Sequence, residues 1–342
     1  MGRKERKGAW RRWGAAIALA LAAILGLSAA SVWWLWLRPL PMAAATMEVE
    51  VPRGASVLEA GRALARQGVG VEPHALYLLA RVQPGSAIVA GYYRLERGLT
   101  APQLLDLLRR GERIRESVTF VEGWTFAQMR TALERHPWVE KTLTGADERA
   151  LLAAIGASEA RAEGLFFPDT YVFDRKTPDR ELYRLAYRKM KEELETAWQA
   201  RDPDLPLSSP YEALILASLV EKETGRAEDR GKVASVFVNR LRRGMPLQTD
   251  PTVIYGLGEG FDGNLTRRHL GEDHPWNTYT RGGLPPTPIC LPGRGSLWAA
   301  VRPEKTEYLY FVARGDGSSE FSRTLEEHNR AVARWQKGRK SP

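Results

Sequence analysis

Apolar and polar positions along the chain follow several rhythms. Residues 14–37 carry no charge and are rich in Ala, Leu and Ile. As a helix they would span about 36 Å, enough for a hydrocarbon core of about 30 Å. The pattern then shortens. Residues 47–51 alternate as a half-buried strand does. Val57, Ala60 and Leu64 recur at helical spacing behind Ser56, predicting a capped helix over 57–67. Pro73 starts a second helix reaching about residue 82. Residues 88–95, around Gly91-Tyr92-Tyr93, read as a returning strand, and 100–110 as a helix. The result is a small β-α-α-β unit extended by one helix, 47–110. Residues 38–46, with Pro39 and Pro41, read as a short stiff linker.

Residues 111–206 form an intermediate helical and β region: a strand at 116–121, a helix at 125–135 capped by Thr125, and a long charged amphipathic helix over 179–200. The aromatic stretch 164–173 suits either a packed core or a wall on which a sugar or peptide stacks. Asp202-Pro203-Asp204-Leu205-Pro206 marks a boundary before a core region at 207–333. There Ser209-Pro210 opens an apolar helix ending in Glu221-Lys222-Glu223-Thr224-Gly225. A second helix covers 229–243, 247–260 is loop-rich, and 276–280 and 282–292 are extended. A short helix at 296–301, a hairpin over 308–322 and a closing helix at 325–337 follow. The fold class expected is α+β with one N-terminal transmembrane helix.

Charge changes the picture. The chain of 342 residues has a formal charge of +9, which by itself suggests a nucleic-acid partner. Residues 1–38, however, hold a net +6 and residues 334–342 a net +4, leaving 39–333 at −1. A near-neutral body between two basic ends is no nucleic-acid groove. Basic residues before the apolar run place segment 1–13 in the cytoplasm and the body on the extracytoplasmic side. Trp10 and Trp13 at one end, and Trp33, Trp34 and Trp36 at the other, suit the two interfaces. A cleaved signal peptide also starts basic then apolar, but the Trp-rich end of this run fits an anchor better. Residues 334–342 are read as a basic tail.

Candidate chemistry is narrow. Cys290 stands alone, so no disulfide within the chain or cysteine cluster is available. His74, His136, His269, His274 and His328 have no metal-ligand spacing. Ser218 and Ser235 lack a nucleophile elbow, and no phosphate-binding loop or dinucleotide fingerprint occurs. No metal or cofactor is expected. Carboxylate chemistry remains. Glu223 follows Val220, Leu219 and Leu216 on one helical face, and Glu221 follows Ser218, Ala217 and Leu214. Either could emerge from a buried face with a raised pKa, as a general acid requires. Gln248, Thr249, Asp250 and Tyr255, then Asn277 and Tyr279, supply amides, hydroxyls, rings and a second carboxylate that could contact a glycan.

The segments 216–224, 232–241 and 247–255, with Asn277-Thr278-Tyr279, Gly283-Leu284-Pro285-Pro286, 308–312 and His328-Asn329, closely resemble the MltG (YceG-like) family of membrane-anchored endolytic murein transglycosylases. The resemblance is specific over 209–333 and looser elsewhere. It implies that 47–95 is LysM-like and that the partners are peptidoglycan glycan strands, the membrane and peptidoglycan synthases. Lytic transglycosylases often set the catalytic Glu directly before Ser or Thr, and here only Glu223 precedes one, Thr224. The resemblance thus implies Glu223 as acid and base, Glu221 in support, and Gln248, Thr249, Asp250, Tyr255, Asn277 and Tyr279 in substrate binding. It also implies cleavage of nascent strands near the inner membrane, giving 1,6-anhydromuramic ends and limiting strand length. A hydrolytic muramidase and a non-enzymatic wall-binding scaffold are the alternatives.

Overall fold

The computed structural model describes residues 3–336, leaving aside the side chains of 3–12 and of residue 259. Residues 337–342 of the expected basic tail lie outside the described residues, as do residues 1–2 and the basic side chains up to residue 12 in the expected cytoplasmic flank. The structure is mixed α+β. It divides into two compact units, Met1–Glu116 with Phe173–Arg175, and Ser117–Val172 with Lys176–Pro342.

The first unit begins with α1 (Arg3–Val32), which runs into a π-helical turn, Trp33–Leu37. The apolar stretch Trp13–Leu37 is long enough to cross a membrane, and its apolar centre is not buried against the rest of the chain; only near its end does Trp36 pack partly against the unit's core. Residues 38–46 are not a free spacer. Leu40 is buried and its N–H donates to the Leu99 carbonyl at 2.8 Å, while Gly70 N–H donates to the Pro41 carbonyl at 2.7 Å. The two prolines fix an extended path, and that path is packed onto the unit's core.

That core closes around β1 (Thr46–Val51), α2 (Val57–Arg66), α3 (Pro73–Val82), β2 (Gly91–Glu96) and α4 (Ala101–Arg110). β1 and β2 pair antiparallel with Val49 opposite Tyr93. The alternation of the sequence places Val49, Val51, Tyr93 and Leu95 on the buried face, against Leu64, Leu76, Leu104 and Leu105. Ser56 and Glu59 form a capping box at the start of α2, which satisfies two orphan donors of its first turn.

β3 (Arg115–Thr119), which opens the next stretch, pairs with β5 below. Along the chain, α5 (Phe126–Arg135), β4 (Val139–Glu140), α6 (Glu148–Ile155), β5 (Thr170–Asp174), β6 (Thr177–Pro178) and α7 (Asp179–Gln199) precede α8 (Pro210–Glu223), the central helix of the second unit. Residues 213–220 of α8 are buried on every side, as a helix apolar all round must be. It is packed by α7, by α9 (Ala227–Arg242), by α10 (Asp250–Leu257) and, after the short α11 (Arg267–Gly271), by α12 (Arg294–Val301). The hairpin β7 (Tyr310–Ala313) and β8 (Ser319–Ser322) and the closing helix α13 (Leu325–Trp335) complete the unit.

The aromatic stretch serves as core. Phe166 is fully buried and stacks on Phe126 with ring centroids 5.4 Å apart. Two expectations change. The loop-rich segment 247–260 contains a helix, α10. Its Pro251 lies in the first turn, where a missing N–H is harmless. Its Gly256 admits the His274 ring, which would lie 2.0 Å from any added Cβ. Residues 276–280, read as extended, are turns, and 282–292 join no strand ladder among the described residues. Asn277 closes the turns at 277–281, accepting the N–H groups of Tyr279, Thr280 and Arg281.

Candidate active site

The chemistry converges at the C-terminal end of α8, within the second unit. α8 starts where Ser209 accepts the N–H of Glu212. It ends at Thr224, whose extended φ of −148° turns the chain away. Helix geometry then sends Glu221 and Glu223 to different sides.

Glu223 meets a buried group of three threonines. Thr249, Thr252 and Thr278 are each no more than 2% exposed. The Thr249 hydroxyl donates to Glu223 Oε1. Thr249 N–H donates to Thr278 Oγ1 at 3.1 Å, and Thr252 Oγ1 donates to the Thr249 carbonyl at 2.7 Å. The Thr252 and Thr278 hydroxyls lie 2.9 Å apart. Thr249 is therefore held from both sides, and its hydroxyl has a fixed direction.

Burial pushes the Glu223 carboxyl up to about 7, and the nearby Asp250 charge adds to this, while the Thr249 hydrogen bond opposes it. Desolvation of the charged form outweighs one hydrogen bond here. A carboxyl balanced near neutrality can give a proton and later take one back.

Asp250 is exposed at the first turn of α10 and accepts the Tyr279 hydroxyl at 2.5 Å. Gln248, just before Thr249, has φ +51°, the left-handed region that a residue with a Cβ rarely occupies. This turn buries the Thr249 side chain beside Glu223 and leaves Gln248 and Asp250 exposed on either side of it. Glu223, Gln248, Asp250 and Tyr279 line one open cleft of about 530 Å³ together with Arg240, Tyr310 and His328.

Arg240 organises that wall from beneath. It is 7% exposed. Its Nε donates to the Leu309 carbonyl at 2.7 Å, and its Nη1 to the carbonyls of Pro246 at 3.1 Å and Leu247 at 2.9 Å. A weaker bond at 3.3 Å reaches Gln248 Oε1. Its guanidinium also lies 5.1 Å from the Tyr310 ring centre, and the Tyr310 ring stacks with the His328 ring at 5.3 Å. One planar fork thus joins α9, the loop before α10 and the start of the hairpin.

A sequence model of the YceG-like family matches residues 49–334. The chain belongs to the YceG-like family. It is 30% identical over 308 residues to an endolytic murein transglycosylase of Bacillus subtilis strain 168, covering 85% of each chain. It is 28% identical over 319 residues to the endolytic murein transglycosylase of Streptococcus pneumoniae strain D39, covering 83% of this chain and 57% of that one. A crystal structure of a YceG-like protein from Listeria monocytogenes superposes with a TM-score of 0.52 at 29% identity, over 84% of this chain and 98% of that one.

Not every residue singled out in this YceG-like chain reaches the cleft. Glu221 points elsewhere: its Oε2 accepts Gly293 N–H at 2.9 Å, at the N-cap of α12. Asn277 is fully buried. Its amide donates to the carbonyls of Leu270 at 3.1 Å and Glu272 at 2.7 Å, and its oxygen accepts Tyr279 N–H at 2.9 Å. It shapes the loop that presents Tyr279. The Tyr255 hydroxyl donates to Glu163 Oε2 at 3.2 Å, and its ring meets Trp276 edge-on at 5.6 Å. Glu163 is itself pushed up to about 7 by burial, although Phe126 N–H and Tyr255 bond it.

Sequence reading left Arg240, Tyr310, His328 and Glu163 off the list of site residues. The first three stand inside the quoted segments 232–241 and 308–312 and the pair His328-Asn329, which was the available signal. Among the described residues no cluster of three or more His, Cys, Asp or Glu side chains could hold a metal ion.

Proposed function

We propose that this chain is a membrane-anchored endolytic murein transglycosylase. It cleaves the β-1,4 bond between N-acetylmuramic acid and N-acetylglucosamine without consuming water. The observation that carries the reading is the Glu223 carboxyl, balanced near pH 7 and oriented by Thr249 at the edge of an open cleft. The named activity of the Bacillus and Streptococcus relatives supports the same choice.

In the mechanism, protonated Glu223 donates to the glycosidic oxygen as the C1–O bond breaks. The muramic acetamido group stabilises the oxocarbenium-like centre. The Glu223 carboxylate then takes the proton from the muramic C6 hydroxyl, whose oxygen closes on C1 to give a 1,6-anhydro ring. One group serves as acid and then base, so its proton balance returns to the start. Gln248, Asp250 and Tyr279 contact the glycan, and Arg240 and Asn277 hold the loops that present them. Glu221 supports the site by fixing the start of α12. The apolar span Trp13–Leu37 anchors the chain in the cytoplasmic membrane with its N-terminus inside. Within the first unit, the β-α-α-β segment 47–95 is LysM-like. Cleavage close to the membrane would limit the length of nascent strands and bring the enzyme near peptidoglycan synthases.

The exposed Asp250 favours one second reading, in which it directs water and the same bond is hydrolysed. Mass spectrometry of digested peptidoglycan decides. Anhydro ends that disappear with Glu223→Gln are expected. Reducing ends instead would establish the muramidase, and undiminished cleavage by Glu223→Gln would remove Glu223 from the mechanism.

A further inference from the structure

Beyond the apolar span, the first unit exposes its large apolar side chains in one place. Between residues 38 and 116, those exposed are Tyr77, Leu78 and Val82, at 36%, 55% and 67%. All three are on α3. Positions 77, 78, 81 and 82 recur at helical spacing and form one stripe. Arg81 completes it, with Nε and Nη2 donating to the Tyr77 hydroxyl at 3.0 and 2.9 Å. No acidic residue occurs within α3.

The same helix is joined to the end of the apolar span. Trp36 Nε1 donates to the Ala75 carbonyl at 3.1 Å, and the Trp36 ring packs against the unit's core. Arg38 places its guanidinium 4.0 Å over the Trp34 ring. The tied path of residues 38–46 means that no flexible spacer lifts the unit away from these tryptophans. Scattered exposed apolar residues are ordinary on a protein surface. Here they are confined to the helix to which Trp36 is hydrogen-bonded, and they come with an arginine and a tyrosine. Aliphatic, aromatic and cationic groups on one helical face match the boundary between headgroups and acyl chains.

We propose that the outward face of α3, comprising Tyr77, Leu78, Arg81 and Val82, rests in the headgroup layer of the bilayer crossed by α1, so that the first unit rides on the membrane surface. This rests on the membrane-anchored reading above. The occupant follows from continuity: the span ends at Leu37, and Trp36 beside that end is bonded to α3.

The full chain in lipid nanodiscs tests this. Leu78→Cys and Val82→Cys, each carrying an environment-sensitive fluorophore, are compared with Arg62→Cys on the exposed side of α2. The native Cys290 is buried, and the unsubstituted chain provides the labelling blank. Blue-shifted emission and several-fold stronger quenching by headgroup-spin-labelled lipid are expected at 78 and 82 relative to 62. Probes at 78 and 82 as water-exposed as at 62, in a chain that co-purifies with the discs, would overturn the inference and leave the anchor intact. A blue shift without lipid quenching would mean a protein partner, such as a second copy, and would also overturn it. A chain that fails to co-purify with discs would overturn the anchor and this inference together.

Discussion

Replacing Glu223 by glutamine should abolish cleavage and, at alkaline pH, stabilise the protein. The stability effect follows from the raised carboxyl. Below about pH 4.5, the ordinary value for glutamate, Glu223 is protonated in both folded and unfolded chains and contributes no pH dependence. Between 4.5 and about 7 the unfolded chain releases the proton while the folded chain keeps it. The folded state then binds more protons, so its stability falls as pH rises. Above 7 the loss is complete. At about 1.4 kcal/mol per pH unit, it amounts to about 3 kcal/mol at pH 8. Glutamine does not titrate, so Glu223→Gln escapes this loss, and Glu163, equally present in both proteins, cancels from the comparison. For a unit of this size, about 2–4 °C per kcal/mol gives a Tm advantage for Glu223→Gln that grows by about 6–12 °C between pH 4 and pH 8. Thermal unfolding of both proteins in the same detergent at pH 4, 6 and 8 measures it. A Tm difference that stays constant across this range would refute the raised carboxyl and the acid role built on it.

Much of the first unit was legible because its signals are local. Ser56 caps α2, Pro73 starts α3, and alternation alone puts Val49 and Val51 on the buried face. The choice between Glu221 and Glu223 was of another kind. Helical periodicity could not separate them, because residues 213–220 are buried all round and α8 has no solvent face to serve as a reference. What separates them lies far along the chain: the Gly293 N–H for one, the Thr249 hydroxyl for the other. Likewise, Pro251 and Gly256 carry the composition of a loop, yet one opens α10 and the other makes room for His274. Asn277 was singled out for its chemistry and is consumed by backbone carbonyls. Arg240 is one of two basic residues in the last turn of α9, and no local pattern singles it out. Its importance depends on carbonyls from two loops that meet only in the folded chain.

Thr249→Val removes the bond that opposes the rise of the Glu223 carboxyl. The alkaline limb of the pH profile for anhydro product formation, expected near pH 7 for the native chain, should move upward while kcat falls; an unmoved limb would separate Thr249 from Glu223. Arg240→Met leaves the carbonyls of Pro246, Leu247 and Leu309 without a donor, at about 1–3 kcal/mol for each unsatisfied group. It should lower both Tm and activity, and Arg240→Lys should not rescue them, because an ammonium lacks the planar fork. Glu221→Ala should lower Tm, since Gly293 N–H loses its acceptor, while the pH limb of catalysis stays in place; a shifted limb would make Glu221 part of the proton transfer. Gln248 sets strain against binding. Its left-handed backbone costs about 1–2 kcal/mol. Gln248→Gly relieves this but gives the unfolded chain about 0.5–1 kcal/mol of extra freedom, so its Tm should stay near that of the native chain. Gln248→Ala keeps the strain and should not exceed Gln248→Gly in Tm. Both lose the cleft-facing amide, so both should raise KM for glycan by a similar factor. If Gln248→Gly alone weakened binding, the strained turn itself, and not the amide, would be what the glycan meets.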